Sequence, residues 1–300
     1  MSVQTETTLF RLAHISDLHF SHATFNPLQF LSKRWIGNIN YLLTRQHAFT
    51  PEKLTNLFPT FRELEIDAVL ITGDLSSTSQ EKEFVMAQEF IEGLKKENFK
   101  VFVLPGNHDQ YTKKAYHDQL FYQFFDETYS SSSPLSLKKD NLSVSFLGHD
   151  WWLIGLDTAI ATSLFSSSGY FSSELETLLE KALSEIPKEH KVILMNHFPL
   201  FCNESKRKEL VRKEALRKLL ERFPQVKLYL HGHSHRHCIA DLRSSNLPII
   251  LDSGSTAQKK GATWNLIEIT DKGCSVEVYK NQSNPTSFPW EPVLKTHFQW

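Results

Sequence analysis

Short, nearly unbroken apolar runs alternate along this chain with longer stretches in which apolar residues recur every three or four positions. The first pattern reads as buried strands and the second as amphipathic helices. Phe10 to Ile15, Ala68-Val69-Leu70-Ile71-Thr72, Val101-Phe102-Val103-Leu104, Lys191-Val192-Ile193-Leu194-Met195 and Val226 to Leu230 are runs of the first kind. Further strands are predicted at 142–148 and 152–156, joined by a hairpin turn at Gly148-His149-Asp150. Others fall near 248–252, 263–269 and 274–280 and complete a second sheet. Helical spacing is clearest at Leu28, Leu31, Trp35, Ile39 and Leu42, with Lys33, Arg34, Asn38 and Arg45 between them. This amphipathic insert at about 20–50 has two readings: it packs on the body, or it forms a lid or a surface that meets lipid or an apolar substrate.

Punctuation refines the pattern. Thr50-Pro51-Glu52 opens a helix that Pro59 bends or ends, and Thr78 with Glu81 caps a helix running to about Asn98. Residues 68–104 thus read strand, helix, strand, a right-handed parallel crossover. Tyr111 to Tyr129 reads as helical and Ser130 to Pro134 as a loop. A serine-rich loop at Ala161 to Ser173 precedes a helix capped near Ser173, with Glu176 completing its box. Asn203 to Phe223 reads as one basic helix whose mixed charges are either a solvated face or an anion-steering surface. Asn281 to Trp300 reads as a C-terminal tail, whose Phe288, Trp290, Phe298 and Trp300 serve an interface or pack back on the body. Without an internal repeat or a linker, 1–300 is read as a single domain.

Charge changes this picture little. The 33 Lys+Arg nearly balance the 34 Asp+Glu, so no global field advertises a stable nucleic-acid partner or a membrane. No apolar run approaches the roughly 20 residues of a membrane span, and Met1 to Thr8 lacks the pattern of a signal peptide. Three scattered cysteines, Cys202, Cys238 and Cys274, argue against a disulfide framework and for the cytoplasm, with peripheral membrane contact through residues 20–50 as the variant. Nothing in the sequence sets the oligomeric state.

The 14 histidines matter more, because of where they fall. The first run leads into Asp17-Leu18-His19, where residues two apart in extended chain share a side. Ala68 to Thr72 leads into Gly73-Asp74, and Val101 to Leu104 into Pro105-Gly106-Asn107-His108-Asp109. Lys191 to Met195 leads into Asn196-His197, and Val226 to Leu230 into His231-Gly232-His233-Ser234-His235. Each cluster sits at a strand's carboxyl end, the edge where open α/β sheets bind ligands. His149, His231 and His237 read as incidental. Asp17, His19, Asp74, Asn107, His197, His233 and His235 are oxygen and imidazole donors without thiolate, which suits divalent manganese, iron or zinc. Seven donors exceed one tetrahedral zinc, so two metals sharing a carboxylate is the economical solution.

In this order, Asp-x-His, Gly-Asp, Gly-Asn-His-Asp, His and Gly-His-x-His, the motifs closely resemble those of the calcineurin-like metallophosphoesterases, in particular their bacterial cyclic-nucleotide phosphodiesterase-like branch. The resemblance spans residues 13–235. It implies an α/β fold of two packed mixed β-sheets flanked by helices, in four layers. It implies one metal on Asp17, His19 and His235, a second on Asn107, His197 and His233, and Asp74 bridging them. His108 would be the acid outside the metal shell, with Asp109 positioning it. The metals, manganese or an iron–manganese pair with zinc as the alternative, would acidify a shared water whose hydroxide attacks a small phosphoester, while His108 protonates the leaving alkoxide or stabilises it electrostatically.

Two departures shape the expectation of substrate. Ser77 stands where purple acid phosphatases carry tyrosine, which speaks against their charge-transfer iron site. Asn196 replaces a histidine common in the cyclic-nucleotide branch. The insert keeps open a lipid-linked pyrophosphatase of the UDP-diacylglucosamine type, with nuclease as a further alternative. A non-catalytic metal-binding scaffold is the reading from another class.

Overall fold

The computed structural model describes residues 7–22, 49, 51–125, 134–163, 166–201, 205–281 and 290–300. The amphipathic stretch from Leu28 to Arg45, most of the loop from Ser130, and Phe288 lie outside them.

Two six-stranded mixed sheets face each other. The first contains β1 (Thr8–Ile15), β2 (Ala68–Ile71), β3 (Lys100–Val103), β12 (Thr263–Thr270), β13 (Gly273–Asn281) and β14 (Trp290–Gln299), in the order β14-β13-β12-β1-β2-β3. The second contains β4 (Leu142–Gly148), β5 (Trp151–Leu156), β7 (Lys191–Met195), β9 (Val226–His231), β10 (His237–Asp241) and β11 (Ile249–Ser253), in the order β10-β11-β9-β7-β5-β4. A two-stranded sheet pairs β6 (Gly169–Tyr170) with β8 (Leu210–Val211). Strands β1, β2 and β3 are parallel, as are β5, β7, β9 and β11.

The apolar runs are unbroken because both faces of the central strands are covered. In β7, Ile193 and Met195 join the core between the sheets, while Val192 and Leu194 join a second core with α6 (Ser173–Glu185) and α7 (Lys213–Arg222). In β11, Ile249 and Leu251 divide from Ile250 in the same way. The first sheet is backed by α1 (Leu57–Glu63) and α2 (Glu81–Lys96), which bury Leu57 and Phe61, and Phe84, Ala87, Phe90, Ile91 and Leu94. This is the four-layer α/β arrangement that the family resemblance implied. Each of these valine, leucine, isoleucine, methionine and phenylalanine side chains contributes about 1.5–3 kcal/mol of burial.

Several sequence expectations are corrected. Strands β12 and β13 belong to the first sheet, because β12 pairs antiparallel with the edge of β1 opposite β2. The expected tail is in part β14, which pairs along β13 and buries Trp290 and Phe298. Asn203 to Phe223 is not one helix: a 3-10 turn at Lys206–Lys208 and β8 precede α7, and Arg212 takes a left-handed φ of 63° between them. The charges of α7 are largely paired, Arg217 with Glu214 and Glu221, and Arg222 with Glu180, as on a solvated face. Tyr111 to Phe125 holds two short helices, α3 (Lys113–His117) and α4 (Phe121–Phe124), interrupted at Gln119 with φ 49°. Pro59 lies in the first turn of α1, where no backbone donor is missed. Glu83, not Glu81, serves the start of α2, accepting from the Thr78 and Gln80 backbone N–H groups. Ser172, one residue before the expected cap, accepts from Leu175 N. Another short helix, α5 (Leu137–Asp140), precedes β4. Among the described residues, no helix is long and apolar enough to cross a membrane.

Candidate active site

The carboxyl ends of β1, β2, β3, β7 and β9 meet along one edge between the sheets, and the five motifs follow these strands. Their residues are not extended. Asp17, His19, Asp74, His233 and His235 have φ of 56°, 48°, 54°, 69° and 55°. Asp17 and His19 therefore converge by alternate left-handed residues, and the two-apart logic of a strand does not apply. Non-glycine residues pay about 1 kcal/mol or more each for this conformation, and such strain concentrates at functional sites. Two glycines let the turns close. A side chain at Gly106 would strike Asp74 Oδ1 and N, and one at Gly232 would strike Ser16 Oγ and Asp17 Oδ2.

Two groups of donors result. In the first, Asp17, His19, Asp74 and His235 bring one donor atom each within 4.8 Å of one another. His19 Nε2 lies 3.0 Å from His235 Nε2, and Asp17 Oδ1 lies 3.1 Å from His235 Nε2. In the second, His197 Nε2 lies 3.2 Å from Asn107 Oδ1 and 3.2 Å from His233 Nδ1. Asp74 stands between them, Oδ2 3.9 Å from His19 Nε2 and Oδ1 3.5 Å from His197 Nε2. All seven expected donors are thus brought together.

The electrostatics suit cations. Burial lowers His197, and lowers His233 to about 3, so both rings are neutral with lone pairs to offer. Burial pushes Asp17 up, but His235, His197 and His19 reverse this and hold its carboxyl below the ordinary value. Imidazole nitrogens about 3 Å apart need a proton or a cation between them. Asp17 Oδ1 is buried and accepts no hydrogen bond, although His235 Nε2 is near. Divalent metals therefore fit both groups.

Backbone carbonyls, which leave no sequence signal, orient the rings. His197 Nδ1 donates to Thr72 O at 2.8 Å, and His233 Nε2 to Lys208 O at 2.9 Å, which turns His197 Nε2 and His233 Nδ1 toward each other. His108 follows the same rule: Nδ1 donates to Ser77 O at 2.8 Å, and its backbone N–H donates to Asp74 Oδ1 at 2.8 Å. Asp109 does not hold His108, contrary to expectation. Its buried carboxylate accepts from the N–H groups of Leu75, Ser76 and Gly106 and from Ser76 Oγ, tying the turn after β3 to the turn after β2. Burial, opposed by those donors, pushes it up to about 6. His231 and His237 stay outside the donor groups, bonded to Gly232 O and to Asn265 Oδ1 respectively. His149 occupies the β4–β5 turn with φ 50°.

Two facing mixed sheets carrying a histidine–carboxylate centre at their shared strand ends define a metal-dependent hydrolase of the metallophosphoesterase class. The model of the calcineurin-like phosphoesterases matches residues 10–237, and the chain belongs to that family. It is a phosphoric ester hydrolase. It is 26% identical over 298 residues to a 3′,5′-cyclic-nucleotide phosphodiesterase of Nostoc, covering 96% of this chain and 97% of that one. The 3′,5′-cyclic adenosine monophosphate phosphodiesterase CpdA of Escherichia coli is 27% identical over 185 residues, 61% of this chain and 59% of that one. A dimetal phosphatase of Danio rerio shares the fold at 12% identity, with TM-score 0.66 and coverage of 98% and 99%.

Proposed function

We propose that this protein hydrolyses a phosphodiester at a two-metal centre, with a 3′,5′-cyclic nucleotide as its nominal substrate. The observation that carries the reading is the placement of Asp74, one oxygen toward each histidine group. The cyclic-nucleotide phosphodiesterase names of the Nostoc and Escherichia coli relatives support the substrate class. Asp17, His19 and His235 would hold one cation, Asn107, His197 and His233 the other, and Asp74 both. Manganese or an iron–manganese pair suits this donor set. Such cations supply positive charge for phosphoryl oxygens and acidify a water. Asp74 also accepts from the His108 backbone, so binding of the metals and the position of the acid are set by one carboxylate. Because the Nδ1 proton of His108 is committed to Ser77 O, transfer to the leaving alkoxide is assigned to Nε2.

Cyclic adenosine monophosphate and bis(p-nitrophenyl) phosphate, with Mn2+, test this reading. Asp74→Asn should abolish turnover, and His108→Ala should lower kcat on the order of 10² to 10⁴-fold, with folding retained by circular dichroism. Turnover unchanged in either folded variant overturns it.

A further inference from the structure

Phe49 adjoins the centre and has no part in the chemistry above. A bridge to Gln258 fixes its backbone, and its ring centroid lies 4.6 Å from that of His19 and 5.6 Å from that of His235. Other aromatics also back the imidazoles: Phe198 lies 4.7 Å from His233, and Tyr111 lies 5.5 Å from His108. Phe198 and Tyr111 are buried, so their surface is spent on the fold. Phe49 is only partly buried, and its contacts with the two imidazoles are tilted at 57° and 90°, not parallel stacks. Phe49 packs against the core from one side, and its partial burial leaves the rest of the ring to be covered. Its direction follows from exposure within the first donor group. The side chains of Asp17, His19 and Asp74 are at most 1% exposed, whereas that of His235 is 31% exposed. Among the described residues of the first group, His235 is the donor that reaches solvent, and Phe49 stands beside it, while His108 and His233 are partly exposed elsewhere on the centre.

We propose that Phe49 is the wall of a ring-binding subsite that takes the planar arm, a nucleobase or aryl group, of the phosphodiester hydrolysed at the centre. The proposal rests on the phosphodiesterase reading and adds a determinant of specificity to it. The metal centre meets the charge of the phosphate and is indifferent to what each ester arm carries. An uncharged ring is recognised by stacking and dispersion, which a phenyl face supplies to any base. The ring already packs against His19, His235 and the core before substrate arrives, so little ordering cost is paid on binding. A glycerol arm gains little from the same surface.

The test compares ligands that differ by the ring, on wild type, Phe49→Ala and Phe49→Trp loaded with Mn2+. The first readout is the ratio of kcat/KM for cyclic adenosine monophosphate to that for glycerophosphoethanolamine. The second is the ratio of affinities for adenosine 5′-monophosphate and ribose 5-phosphate, read by calorimetry without turnover. Both ratios should fall about tenfold in Phe49→Ala and recover in Phe49→Trp, with manganese content equal in all three proteins. Ratios unchanged in Phe49→Ala overturn the subsite. So does an equal loss on both ligands of each pair together with lost manganese, since Phe49 would then only support His19 and His235. A wild type that hydrolyses neither diester refutes the phosphodiesterase reading, while the affinity ratio still decides the subsite.

Discussion

The residues with the sharpest consequences are buried carboxylates that occupy similar strand ends for different reasons. Asp74 faces His19 and His197, one in each donor group, whereas Asp109 is satisfied by four protein donors. The sequence presents both as acids after an apolar run, and only the turn geometry separates them. Asp109→Ala should therefore act on stability first, because each buried donor left without an acceptor costs about 1–3 kcal/mol. A urea midpoint lowered by more than about 3 kcal/mol equivalent is expected, and wild-type stability in the variant contradicts this role. Asp157, at the end of β5, is a third case. Burial pushes its carboxyl up to about 7, against hydrogen bonds from Tyr122 Oη and Ala159 N, while the ordinary value is 3.8. Between these values the folded chain keeps a proton that the unfolded chain has released. The stability this group contributes is thus complete below about pH 4 and is lost as pH rises toward 7. The separation corresponds to at most about 4 kcal/mol. Asp157→Asn should gain on wild type between pH 5 and pH 8 in urea denaturation, and a constant difference across that range refutes the shift.

At the level of elements, legibility follows burial. Strands β2, β5, β7 and β9 are largely apolar runs, broken in β9 by Lys227 and closed by Gly, Asp, Asn or His, and their boundaries are legible to within a residue or two. Strand β10 is not legible in the sequence, because His237, Cys238 and Asp241 interrupt it and, among the described residues, it pairs with β11 alone. Strand β14 reads as tail in the sequence because the residues from Glu291 to Lys295 are exposed on both sides, so they carry no alternation. The basic helix was overextended for a related reason: charges at i,i+3 and i,i+4 are compatible with a helix but do not require one, and only Leu216, Leu219 and Leu220 bury a helical face. Integration of β14 is open to test. Trp290 and Phe298 are 4% and 7% exposed, so alanine at either should cost on the order of 3 kcal/mol. A tail would tolerate both substitutions with no change in Tm.

For the whole molecule, the decisive fact is that the proposed metals would join the two halves of the sandwich. Asp17, His19, Asp74 and Asn107 follow strands of the first sheet, while His197, His233 and His235 follow strands of the second. Each donor group draws on both sheets, through His235 in one case and His197 with His233 in the other. The order of the motifs made the seven residues legible, but this division was not, because it depends on which strands pair. Neutral imidazoles buried against one another, with five donors already held in left-handed backbone, present cations with a preformed site at this edge of the fold. Binding to the native state alone stabilises by about 2.7 kcal/mol when free metal is a hundredfold above Kd. Mn2+ should therefore raise Tm by roughly 5 °C over the chelated protein, and Asp74→Ala should lose most of that gain. Hydrogen exchange should locate the effect. Chelation should speed exchange in the turns after β1, β2, β7 and β9, on both sheets at once, and spare the opposite ends of the same strands. Protection gained on one sheet only would mean that the metals do not bridge the halves.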